Sequence, residues 1–218
     1  MSIGENLLDI QNSIPKHVSL VAVSKTKPTS DILEAYEAGQ RIFGENKIQE
    51  MVGKYDELPK DIAWHMIGHL QRNKVKYMAH FVDLIHGVDS LKTLKEINKQ
   101  AALHKRTIAC LLQVKIATED TKFGIPPNEI GTILASDEFK SLENIQIKGF
   151  MGMSSFTQND DIVKTEFELL KTLYNQYAPS YNFDTLSMGM SGDFPLAISC
   201  GSNMVRVGSA IFGTRNKI

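Results

Sequence analysis

The sequence predicts an α/β chain folded as a single (β/α)8 TIM barrel. Three observations lead there. Short runs rich in Val, Ile and Leu alternate eight times with segments of helical period, the pattern of parallel strands joined by right-handed crossovers. Some runs are apolar almost throughout, as strands covered on both faces must be. The 218 residues suit one lean barrel, since such barrels usually have about 250 residues. Neither a linker nor a low-complexity stretch marks a second unit, so residues 1–218 are expected to form one domain. A doubly wound open sheet is the alternative, but the first strand is not followed by Gly-x-Gly-x-x-Gly.

Val18–Ser24 is the first strand. Thr29 or Ser30 caps a helix that ends at Gly39. Ile42–Gly44 is the second strand, and Ile48, Met51, Val52 and Tyr55 recur at the spacing of one helix face. Ile62–Ile67 is the third, with a helix from about Gln71, and Phe81–Gly87 is the fourth. Asp89-Ser90 opens a helix with Leu91, Leu94, Ile97 and Ala101 on one stripe. Ile108–Val114 is the fifth strand, and Pro126-Pro127-Asn128 opens a helix with Ile130, Ile133 and Leu134 inward. Ile145–Met151 is the sixth, and its helix carries Val163, Phe167, Leu170 and Tyr174. Thr185–Met188 is the seventh, with a short helix over Gly192–Cys200 closed by Gly201. Met204–Val207 is the eighth. Eleven residues follow it, too few for a full outer helix. Ile3–Asn12 is expected to supply one, with Ile3, Leu7, Leu8 and Ile10 facing the barrel.

Composition narrows the function. Apolar residues make up 42% and charged residues 22%, ordinary globular usage. Lys plus Arg is 24 and Asp plus Glu is 25, so the global basic excess expected of a phosphate-tracking nucleic-acid binder is missing. Two cysteines, Cys110 and Cys200, make no disulfide framework and read as small buried hydrophobes. Met1–Ser13 has no signal-peptide pattern, and no apolar stretch approaches the ~20 residues of a membrane span. A cytoplasmic protein is expected.

Barrel chemistry gathers at the C-terminal ends of the strands. Lys25 ends the first strand and shares parity with Ser19, Val21 and Val23. A lysine at an apolar rim loses part of its preference for charge and becomes an amine able to attack an aldehyde. Position alone leaves Lys25 between that role and a solvated loop lysine, and Lys27 is equally placed. Asn46, after the second strand, reads as a helix cap or as an amide for a ligand. His65 and His69 share parity, but two histidines without a third ligand are a weak metal signal. His86 is equally ambiguous. The loops Met188–Asp193 and Gly208-Ser209 follow strands seven and eight, where barrels commonly bind phosphate. Arg206 stands between two valines inside a strand, a costly place unless it is paired or bound. An amine, a phosphate cradle and an arginine between them suit an aldehyde that carries a phosphate. Pyridoxal phosphate meets all three requirements, and a sugar-phosphate aldehyde meets two.

Five motifs carry a resemblance: Ala22–Pro28 (AVSKTKP), Phe43–Asn46 (FGEN), Trp64–Lys74 (WHMIGHLQRNK), Leu186–Ser191 (LSMGMS) and Met204–Gly213 (MVRVGSAIFG). In this order the chain resembles the pyridoxal phosphate homeostasis family from about residue 5 to its end. The resemblance implies the alanine racemase N-terminal domain type of barrel without that enzyme's second, β-rich domain. It implies pyridoxal 5′-phosphate held as an internal aldimine on Lys25. Ser191, Gly208 and Ser209 would hold the phosphate, Arg206 the pyridine nitrogen, and Asn46 and His69 would flank the ring. Met188 is counted with them. Lys122 matches a family lysine proposed to act in cofactor release. Phe123 stands where a small or polar residue is more frequent, and Ser209 where threonine is frequent. The resemblance implies a carrier or regulator of the cofactor without turnover, with recipient apo-enzymes as partners, no nucleic acid or membrane, and a monomer. A slow racemase-type enzyme, a Schiff-base aldolase and a plain interaction module are the alternatives.

Overall fold

The computed structural model describes residues 2–119 and 123–213. Its strands are β1 (Ser19–Val23), β2 (Ile42–Glu45), β3 (Ala63–Met66), β4 (Leu84–Val88), β5 (Ile108–Gln113), β6 (Ile145–Met151), β7 (Thr185–Met190) and β8 (Met204–Val207). All neighbours pair in parallel and β8 returns to β1, so the sheet closes into a barrel in chain order. The helices are α1 (Ile3–Ser13), α2 (Thr29–Glu37), α3 (Ile48–Glu57), α4 (Leu91–Leu103), α5 (Ile130–Ala135), α6 (Asp137–Lys140), α7 (Asp160–Tyr181), α8 (Phe194–Ser199) and α9 (Ser209–Phe212). Among the described residues no helix is long and apolar enough to cross a membrane.

Strand alternation sorts the side chains into two cores. Outward residues such as Ala22, Phe43, Trp64, Ile85, Leu112, Phe150 and Val205 pack with Leu94, Ile97, Phe167 and Leu170 of the helices. Inward residues Val21, Leu84, Leu111, Met151 and Met204 form a separate small cluster. The parity argument for Lys25 therefore starts from a residue, Val21, that does point inward.

The outer helix expected over Ile3–Asn12 exists as α1, which packs beside α9 and α2. Ser2 caps the helix in a reciprocal pair with Glu5. Leu7 is fully buried, Ile3 and Ile10 are partly so, and Asn6 Nδ2 donates to the Ile211 carbonyl at 3.0 Å. Leu8 departs from expectation and is 51% exposed. It follows Leu7 by 100° around the helix and falls off the buried stripe.

Other expectations shift locally. The segment from Gln71 makes only a 3-10 helix at Arg72–Tyr77, because Val75 is its single buried residue. The fourth strand begins at Leu84, since Phe81 and Val82 still close turns on the Met78 carbonyl. Pro28, with no side-chain bond, stands at the cap of α2 in place of Thr29 or Ser30. Asn46 does not cap α3, whose cap position is Lys47. The helix expected from Gly192 starts at Phe194, and the short α6 was not expected.

Three strands are bulged. In β4 the three steps from Ile85 to Val88 span two of β5, from Cys110 to Leu112. In β6 the register jumps from Ile147 to Gly149 opposite consecutive residues of β5. Gly149 takes φ +150°, and a Cβ there would lie 1.9 Å from the Thr185 carbonyl oxygen, so only glycine fits. In β7, Ser187 faces Met204 but Met190 faces Arg206, one residue too many.

Candidate functional site

A cavity of about 520 Å³ opens at the C-terminal ends of the strands. Lys25, Asn46, His69, Ser191, Arg206, Gly208 and Ser209 all line it. Residues from five separate strand ends thus meet at one place. Met188 is the exception. It is fully buried and packs in the outer core with the helix layer. Alternation explains the offset, since Ser187 points inward and Met188 outward, and the extra residue of the β7 bulge then brings Met190 to the cavity wall. Lys122 lies outside the described residues.

The turn that carries Lys25 is clamped from below. Ser24 Oγ donates to Glu45 Oε1 at 2.6 Å. Lys54 Nζ, from α3, donates to the Ser24 carbonyl at 2.8 Å, to Glu45 Oε1 at 2.8 Å and to Glu50 Oε1 at 2.7 Å. Glu50 Oε1 also accepts the Thr26 amide at 2.6 Å. Thr26 itself sits at φ +64°, a conformation a β-branched residue adopts at a cost. Both peptides flanking Lys25 are therefore held. Glu45 is fully buried, and its Oε2 has no hydrogen-bond partner. Burial pushes its carboxyl above the usual range, and the charge of Lys54 opposes that push.

Asn46 reaches the rim because Gly68 crosses close to it. A Cβ on Gly68 would lie 2.4 Å from the Asn46 carbonyl oxygen. His69 is half-exposed, approaches Asp89 Oδ2 at 3.5 Å through Nδ1, and stacks on Phe123 with ring centroids 4.6 Å apart. Gln113, which the sequence did not single out, is buried at the end of β5 and donates to the Phe123 carbonyl at 2.8 Å. Phe156, also missed, lines the mouth and is 95% exposed. Its loop is held by Glu166, whose carboxylate accepts the Thr118 and Ser155 amides and the Ser155 hydroxyl.

The loops after β7 and β8 touch. Gly208 N donates to Ser191 Oγ at 3.1 Å. Asp193 stiffens the first loop by accepting the Met190 amide at 2.6 Å and the Ser154 hydroxyl at 2.8 Å. Arg206 is buried on the cavity floor. Its guanidinium donates to Ser187 Oγ and to the Gly152 carbonyl, and among the described residues it makes no salt bridge. Burial draws its pKa down to about 10, with Asp193 partly opposing. A buried guanidinium with no carboxylate against it is the feature that most calls for a ligand.

His65 and His69 do not come together. His69 stays at the rim, while His65 turns into the barrel and meets His86, Nδ1 to Nε2, at 3.0 Å. His86 Nδ1 lies 3.1 Å from Ser187 Oγ. Burial holds the His86 imidazole well below the ordinary histidine range. Among the described residues no cluster of three His, Cys, Asp or Glu suits a metal.

The donor set is thus an amine, a buried guanidinium, and hydroxyl and amide groups from two joined loops. It fits a phosphorylated aldehyde with a planar acceptor ring, pyridoxal phosphate included. A model of the alanine racemase N-terminal domain family matches residues 2–216. The pyridoxal phosphate homeostasis protein of Haemophilus influenzae is 40% identical over 212 residues, covering 94% of this chain and 89% of that protein. PipY of Synechococcus elongatus, solved without PLP, superimposes with a TM-score of 0.91 at 36% identity, over 97% of this chain and all of that one. Its structure with PLP bound gives 0.89 at 34% identity. Alanine racemase of Clostridium difficile shares the fold alone, with a TM-score of 0.80 at 15% identity over 99% of this chain and 56% of that one.

Proposed function

The chain belongs to the alanine racemase N-terminal domain family and to the pyridoxal phosphate homeostasis proteins, and from that premise we propose that it binds pyridoxal 5′-phosphate, holds it covalently on Lys25, and serves its intracellular supply without turning over a substrate. The observation that carries this reading is convergence: Lys25, Arg206 and the joined Ser191–Gly208 loops line one cavity. When bound, the cofactor supplies an aldehyde that condenses with primary amines and a ring that draws electrons from the attached carbon. Lys25 offers the amine, on a turn clamped by Lys54 and Glu50. Ser191, Gly208 and Ser209 would hold the phosphate with hydroxyl and amide groups. Arg206 would meet the pyridine nitrogen and, being cationic, oppose its protonation. Asn46 and His69 would flank the ring.

One contact, that of Lys27, supports holding over catalysis. Lys27, a second amine on the wall, donates to the Phe212 carbonyl at 2.6 Å, and His69 is engaged with Asp89 and Phe123. The Lys27 amine is thus turned to a carbonyl, whereas the His69 contact with Asp89 is made through Nδ1 alone. We place the protein in the cytoplasm as a monomer that delivers to recipient apo-enzymes.

Borohydride reduction followed by peptide mass spectrometry tests the central point. A pyridoxyl group on Lys25, lost in Lys25→Ala, is expected. A chain that stays unlabelled after incubation with the cofactor would refute it. Incubation with L-amino acids in deuterated water tests the second point, where steady Cα exchange would make the protein an enzyme of the racemase type.

A further inference from the structure

We propose that Ser187, His86, His65 and Asp83 form an ordered hydrogen-bond relay that positions the guanidinium of Arg206 and ties the cavity floor to solvent at the opposite face of the barrel. The chain runs from Arg206 Nη1 to Ser187 Oγ, then 3.1 Å to His86 Nδ1, 3.0 Å from His86 Nε2 to His65 Nδ1, and 3.4 Å from His65 Nε2 to Asp83 Oδ2. Four strands contribute: β8, β7, β4 and β3, with Asp83 just before β4. Arg206, Ser187, His86 and His65 are buried, whereas the Asp83 side chain is 61% exposed.

The ends dictate the direction. A guanidinium only donates and a carboxylate only accepts. Ser187 Oγ accepts from Arg206, so its own proton goes to His86 Nδ1. His86 must then carry its proton on Nε2 and donate it to His65 Nδ1. His65 in turn donates from Nε2 to Asp83. With both rings neutral, each of Ser187, His86 and His65 gives one proton and takes one, so both histidines are the Nε2–H tautomer. Changing one end changes the role of every member. Asp83 is held below the usual carboxylate range chiefly by the His65 bond, with Arg106 a weaker influence. The charge felt at Arg206 is that of Asp193. An apolar trio at 65, 86 and 187 would fill the same space without the cost of burying polar groups. Ser187, His86, His65 and Asp83 are positioning residues, acting on the ligand through Arg206. The meaning of that position rests on the cofactor reading above, but the relay is testable without the cofactor.

The experiment is long-range proton–nitrogen NMR on ligand-free, nitrogen-15-labelled protein. Both His65 and His86 are expected to show one protonated nitrogen, at Nε2. Asp83→Asn, a change at an exposed site, is expected to shift the His65, His86 and Arg206 Nε–H signals together. In the Ser187→Ala background the same change should still move His65 but leave Arg206 still. An Nδ1–H tautomer in either ring of the unsubstituted protein overturns the relay without any variant. So does an Arg206 signal that ignores Asp83→Asn, or that responds equally with Ser187 removed. Failure to take up pyridoxal phosphate would sink the cofactor reading and leave these outcomes intact.

Discussion

Outside the barrel, the eight strands bury Phe43, Trp64, Ile85, Phe150 and their neighbours against helices in one continuous apolar layer. Inside, the same strands supply a smaller apolar filling of Val21, Leu84, Leu111, Met151 and Met204, with Ile42 and Ala109 against it, beside a polar line of His65, His86, Ser187 and Arg206. A stability-bearing face and a chemistry-bearing face alternate residue by residue along each strand. The arrangement separates the two demands. Area removed from water is collected on the outside, so the interior can hold groups that cost free energy to bury.

Four measurements sharpen or break that contrast. Phe167→Ala, in the outer layer, should lower the unfolding free energy by about 3–5 kcal/mol in denaturant titration, while the folded fraction keeps its cofactor uptake. Lost uptake in that fraction would mean the two faces are coupled. Lys54→Met should cost up to about 3–5 kcal/mol, because Glu45 is left buried and uncompensated. Adding Glu45→Gln should recover part of the loss, and no recovery would assign the cost to packing. The clamp view also expects slower labelling of Lys25 in Lys54→Met.

The third is a pH profile. His86 is depressed below the ordinary value of 6.5, so the unfolded chain binds the extra proton as the pH falls below that value. Stability is then complete above pH 6.5 and declines on acidification, by up to about 1.4 kcal/mol per pH unit for one proton. His86→Gln should flatten the slope between pH 6.5 and 5, and an unchanged slope would place its origin elsewhere. The smallest effect belongs to Arg206→Met. It removes a buried charge along with its bonds, and stability should change by no more than about 1 kcal/mol, while cofactor retention on gel filtration falls at least tenfold. A large stability loss with retention kept would make Arg206 a structural residue.

The sequence alone determined the barrel, its strand order, and the limits of β6 and β8, because strand period, helix period and turn residues are local properties of the chain. Inward parity carried Val21 through Val23 to Lys25 correctly up to the cavity wall, and the motif loops placed Ser191 and Gly208 there as well. What local period could not supply was any event that adds a residue or joins distant strands. The β7 bulge brought Met190 to the cavity wall, while Met188 lies outward by alternation from the inward Ser187. Phe156 reached the cavity through a loop path set by Glu166, whereas Gln113 follows the inward parity of Leu111 on β5. The line from Asp83 through His65, His86 and Ser187 to Arg206 joins residues up to 123 positions apart in sequence. Only closure of the sheet, which sets how far each strand is staggered against the next, decided that these side chains meet.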